Sequence, residues 1–190
     1  MATAISPNYT LEEFKDQNGN IVIPKEKKID IFKDRVQGWQ INIAKEVDKI
    51  PNSGFAVLHI IFSYFETIAK YSEGYIEENK SKEFFEKGFY MVFPDLKQQT
   101  DHIQKNALKI LYKKARCGLY HGGMTGTGVL ISGQATHPIK LKIDGSGCLI
   151  NPKKLVEVIE THFNSYIEKL KNDENIVMRG NFWRRFNNAS

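Results

Sequence analysis

Arg116 and His121 are the residues of this chain whose types and spacing best suit chemistry. They bracket the run Arg116-Cys117-Gly118-Leu119-Tyr120-His121, and Gly122 and Gly123 follow directly. An imidazole titrates close to neutral pH, so it can both take and give a proton. A guanidinium keeps its charge and offers paired hydrogen bonds to a phosphate. A structural reading competes: His121 caps a helix ahead of a left-handed glycine, and Arg116 is one more surface cation near a helix C-terminus, where positive charge is favoured.

The element that must position the pair runs through residues 97–128. Its first part reads as an amphipathic helix, the fourth of the chain, with Ile103, Ala107, Ile110 and Leu111 as a buried stripe. Lys105, Lys109, Lys113 and Arg116 recur at helical spacing as a separate charged stripe. Asp101 is the one acidic residue of this segment up to Arg116, and its surplus of positive charge equals the formal +5 of the whole chain. A basic element of this kind favours an acidic partner such as nucleic acid or nucleotide phosphate, and Lys105, Lys109 and Lys113 are the residues expected to bind it. On a straight helix, residues five apart point roughly 140° from one another. Arg116 and His121 therefore share a face only if the helix bends or stops near Gly118.

Upstream, the pattern is helical. Residues 1–28 read as a peripheral arm with a turn at Asp16-Gln17-Asn18-Gly19-Asn20 and a short strand at Ile21-Val22-Ile23. A first helix is expected over residues 29–50, burying Ile29, Phe32, Val36, Trp39, Ile43 and Val47. A second, over residues 54–72, is apolar on most sides and so central to a bundle. One polar line crosses it: His59, Ser63, Glu66, Lys70 and Glu73. That line reads first as a solvent seam; the alternative is that Glu66 or His59 supports a site and orients a partner group. A third helix over residues 81–93 buries Phe84, Phe85, Phe89 and Val92 before Pro94.

Downstream, the period changes from helix to strand. Residues 127–150 predict a short antiparallel β meander, and Asn151-Pro152 predicts the N-cap and first turn of a final helix. The last residues, 179–190, form an aromatic and basic tail with Arg179, Phe182, Trp183, Arg184, Arg185 and Phe186. Such a tail stacks on single-stranded RNA or packs on its own bundle or a second copy. The expected architecture is thus mainly α: an arm (1–28), one helical domain (29–178) with the meander inserted before the last helix, and the tail.

Several classes fall away. Gly122, Gly123, Gly126 and Gly128 lead into a strand with no Gly-Lys-Ser/Thr, which argues against a nucleoside-triphosphate loop. Cys117 and His121 have no second pair to complete a zinc site, and Cys117 and Cys148 are too few for a disulfide scaffold, so neither a metal nor another cofactor is expected. The longest apolar run, residues 55–65, is too short to span a bilayer. A reducing, cytoplasmic location is the simplest expectation.

An Arg and a His with four residues between them, late in a helical run and beside glycine, resemble the R-x4-6-H signature of the HEPN superfamily. The likeness covers the helical part, residues 29–123 and the final helix. It implies a HEPN-like helical bundle and metal-independent endoribonuclease activity. His121 would move the proton of an attacking 2′-hydroxyl, Arg116 would stabilise the charge gathering on phosphorus, and the product would carry a 2′,3′-cyclic phosphate. The same likeness implies a site built from both chains of a homodimer, and roles as toxins, with an antitoxin partner, or in defence against phage. One position departs from the pattern: nuclease members usually carry a polar residue, most often Asn, after the arginine, and here it is Cys117. That favours the alternative, a HEPN-like module that binds RNA, nucleotide or a protein partner without cutting.

Overall fold

A computed structural model describes residues 2–76, 79–98, 106, 108–142 and 144–188. The chain is mainly α, as its periodicity predicts. Two short strands, β1 (Ala4–Ser6) and β2 (Tyr9–Thr10), pair antiparallel at the N-terminus. Asn8 ties this arm down, its backbone N–H donating to Asp34 Oδ2 at 2.8 Å and its Nδ2 to Oδ1 at 2.7 Å.

The first long helix begins as α1 (Lys25–Val36), passes through a π-helical turn at Gln37–Ile41 and ends as α2 (Asn42–Asp48). A π turn inserts a residue and rotates everything beyond it. The buried face is therefore Ile29, Phe32, Val36, Ile41 and Ala44, with a step of five at the turn. This corrects the expected stripe: Trp39 and Ile43 are 48% and 46% exposed, and Val47 is half-buried.

The second helix is broken once, at Phe62, into α3 (Gly54–Ile61) and α4 (Ser63–Glu73). Against α4 lies α5 (Ser81–Val92), which buries Phe84, Phe85, Phe89 and Val92 as expected. The two backbones touch at Gly88: a Cβ there would stand 1.8 Å from the carbonyl oxygen of Phe65, so only glycine permits this approach.

Residues 108–110 are helical and lead into a second π-helical segment, Leu111–Arg116, then α6 (Cys117–Gly122). Ile103, Lys105 and Ala107 of the expected stripes lie outside the described residues. Gly123, at φ 68°, ends α6 in the left-handed conformation.

Three strands follow: β3 (Val129–Ile131), β4 (Ile139–Leu141) and β5 (Cys148–Ile150). Their order is β3-β5-β4, with β5 central, parallel to β3 and antiparallel to β4. The expected antiparallel meander is thus a mixed sheet. The chain leaves β3, returns as the far edge and closes the middle last, an order that local alternation does not encode.

Asn151 caps α7 (Pro152–Lys171), its Oδ1 accepting from the Lys154 N–H at 3.1 Å. The expected tail is in fact a further helix, α8 (Ile176–Asn188), seated by the buried Phe182 and Phe186. Phe182 meets Phe32 at 5.4 Å and Tyr71 at 5.5 Å between ring centroids, joining the aromatic core that Phe163 completes. Among the described residues no helix is long and apolar enough to cross a membrane.

Candidate functional site

The polar line on α3 and α4 is not a plain solvent seam. Its middle member, Glu66, faces the π-helical segment and takes Arg116: Oε1 accepts from Nε at 2.9 Å and forms an ion pair with Nη2 at the same distance. The second carboxylate oxygen accepts from Ser81 Oγ at 2.5 Å, at the start of α5. With both oxygens engaged, Glu66 is a positioning group for the guanidinium. The alternative reading of Glu66, as a support for a partner group, describes its geometry. Close packing of α4 on α5 is what brings Ser81 and Glu66 together.

Two ring faces complete the seat. Tyr112 and Tyr120 lie four residues before and after Arg116, and its Cζ stands 5.8 Å and 5.1 Å from their centroids, within reach of cation–π attraction. Burial works against the charge of Arg116, but Glu66, Tyr112 and Cys117 together outweigh it and hold the guanidinium pKa above its ordinary value. Of the five guanidinium N–H groups, the one on Nε donates to Glu66, and Nη2 sits against the same oxygen as an ion pair; among the described residues the others have capacity for an anion. Charge held on a rigid helix and partly screened from water suits recognition of phosphate.

His121 stands apart from that seat. It is exposed at the last turn of α6, its ring edge-on to Tyr120 at 5.2 Å. Tyr120 therefore touches both members of the motif. The helix runs on through Gly118, so the divergence expected from helical geometry persists within one chain. Cys117 is half-buried. On the other side of Tyr120 lies His59, its ring stacked at 5.9 Å and 16°.

Arg116 does not join the lysines. Lys109 and Lys113 are exposed and line a 290 Å³ cavity with Asn106 and Gly145, whereas Arg116 lines two others. One of 340 Å³ is walled by Trp39, Gln40, His59 and Tyr120, and one of 200 Å³ by Glu66, Thr67, Lys70 and Arg185; Ser63 borders both. The charged stripe expected on one helical face is therefore split, because the π-helical segment starting at Leu111 rotates Arg116 away. A larger hollow of 480 Å³, between residues 48–55 and the start of α7, lies away from the motif.

Sequence reasoning did not find Tyr112, Tyr120, Trp39 or Gln40 as site residues. The spacing of four from Tyr112 through Arg116 to Tyr120 was the available signal. Trp39 carried the opposite signal, since its spacing marks it as core. Among the described residues no three His, Cys, Asp or Glu side chains gather as metal ligands. Comparison with protein-family models, with curated proteins and with solved structures yields no match for this chain.

Proposed function

We propose that this protein is an RNA-directed HEPN-like domain whose activity is metal-independent endoribonucleolytic cleavage. The observation that carries the reading is the seat of Arg116. A guanidinium fixed by Glu66 and two tyrosine rings, with N–H groups still open, is set to bind a phosphate before substrate arrives. In this reading Arg116 binds the scissile phosphate and stabilises the charge of the phosphorane. His121, exposed at the end of α6, takes the proton from the 2′-hydroxyl and returns one to the leaving 5′-oxygen. Because the two side chains diverge within one chain, the reacting pair combines Arg116 of one copy with His121 of a second, and the working form is a homodimer. Lys109 and Lys113 carry the flanking RNA backbone.

A second reading rests on a specific observation. Glu66 already matches the charge of Arg116, and His121 lines neither cavity beside it. A module that binds RNA without cutting fits that arrangement. One assay separates them: single-stranded RNA is incubated in excess chelator with the parent protein, with Arg116→Ala and with His121→Ala. Cleavage by the parent, lost in both variants, supports the nuclease. RNA bound but left intact by the parent leaves the binding module.

A further inference from the structure

Arg116 separates two cavities of opposite character. On the 340 Å³ side the walls are rings: Trp39 is 48% exposed and Tyr120 65%, with His59 stacked on Tyr120. On the 200 Å³ side the cations of Lys70, Arg116 and Arg185 outnumber the one carboxylate, Glu66. A ligand suited to both has a flat ring at one end and negative charge at the other, which is the polarity of a nucleotide.

Two further observations narrow the occupant. Gln40 lines the ring-walled cavity, and its Oε1 is buried with no hydrogen-bond partner among the described residues. A buried amide oxygen without a partner is costly, and the side chain of Gln40, only half-buried as a whole, can turn that amide toward a ligand in the cavity. The volume lies at the small end of ligand pockets and accommodates a base. The π turn at Gln37–Ile41 is what turns Trp39 out of the core and into this wall, and such turns recur at functional sites.

We propose that the cavity between Trp39, Gln40 and Tyr120 is a nucleobase subsite: one unstacked base of the RNA lies against the rings, the Gln40 amide hydrogen-bonds its edge, and Arg116 holds the adjoining phosphate. This rests on the RNA-directed reading above and adds to it a residue, Gln40, that discriminates between bases. The stacking is indifferent to base identity, whereas an amide that must find a donor or acceptor on the base edge is not.

The test is titration of the full chain with AMP, CMP, GMP and UMP, read by calorimetry, with ribose 5-phosphate as the base-free probe. The parent is expected to bind at least one nucleotide about 10-fold more tightly than ribose 5-phosphate. Trp39→Ala removes that advantage, Trp39→Phe restores most of it, and Gln40→Leu brings the four nucleotides to within about twofold of one another. Ribose 5-phosphate binding stays unchanged in all three variants and the thermal midpoint does not fall, which separates loss of the subsite from loss of the fold. Equal affinity for nucleotides and ribose 5-phosphate, no binding of any nucleotide, or nucleotide affinity untouched by Trp39→Ala overturns the proposal. Mononucleotides cannot be cut, so a failed cleavage assay leaves a positive titration standing. A base-indifferent nuclease, conversely, would keep its cleavage while the subsite is lost.

Discussion

Replacing Glu66 with glutamine keeps the shape of the side chain and removes its charge, so it isolates what the carboxylate does for Arg116. Exposed ion pairs contribute about 0–1 kcal/mol, and breaking a fully buried pair costs about 3–5 kcal/mol. This pair lies between those limits: its side chains keep 23% and 13% of their exposure, and one oxygen accepts from Nε and pairs with Nη2, each at 2.9 Å. A cost of about 2 kcal/mol follows, since charge-assisted hydrogen bonds contribute about 1.5–3 kcal/mol. In a chain of this length that corresponds to a fall in Tm of roughly 4–8 °C. A double-mutant cycle with Arg116→Met, followed by thermal and urea unfolding, measures the pairwise part directly, and a coupling of about 1–2 kcal/mol is expected. The two single variants then cost more in sum than the double. A coupling below about 0.5 kcal/mol would show that Glu66 does not hold Arg116 in solution, and the preset phosphate seat would be lost with it.

Other expectations follow from the same packing and electrostatics. Gly88→Ala drives a methyl into the Phe65 carbonyl, and the protein should lose about 3 kcal/mol or more in unfolding experiments; a change under about 1 kcal/mol would mean that α4 and α5 separate freely. Asn151 is buried, caps α7, and donates through Nδ2 to the carbonyls of Gly133 at 3.0 Å and Ala135 at 2.8 Å, so Asn151→Ala should cost about 3 kcal/mol in urea unfolding. Burial, with Lys169 nearby, pulls the His162 imidazole below its ordinary pKa. The unfolded chain therefore takes up a proton that the folded one refuses, and stability is full at neutral pH and falls as pH drops below about 6.5; the melting profile of His162→Gln should be flatter over that range than the parent's. Removing Lys109 and Lys113 together should shrink the salt slope of RNA binding by about 1.4, and an unchanged slope would make them a solvated face only.

The fold was legible where local period decides structure. The helices of residues 54–73 and 81–92, the Asn151 cap and the left-handed Gly123 all follow from spacing and turn chemistry. It was not legible where one residue shifts the phase. The π turn at Gln37–Ile41 sends Trp39 outward and Ile41 inward, and nothing in the spacing of Trp39 and Ile43 announces it. The segment at Leu111–Arg116 does the same to Arg116, parting it from Lys109 and Lys113. Strand order failed for another reason: β3 and β5 pair in parallel through a long-range choice that alternation within each strand cannot report. Of the candidate site, Arg116 and Glu66 were visible as types, but their contact joins residues 50 apart and belongs to tertiary packing. In the tail, packing of Phe182 and Phe186 on the bundle was one of the readings open to the sequence and is what the structure shows, but the helix that carries them was not legible, because its apolar spacing is short and basic residues interrupt it.

The proposal of cleavage by Arg116 and His121 is tested most directly by the ends of the products. Single-stranded RNA, and DNA of the same sequence, are incubated with the parent protein in excess chelator and the fragments identified by mass spectrometry. Attack by the 2′-hydroxyl predicts RNA fragments ending in a 2′,3′-cyclic phosphate and DNA left whole. RNA that stays intact, fragments ending in a 3′-hydroxyl, or DNA cut alongside it would contradict the account.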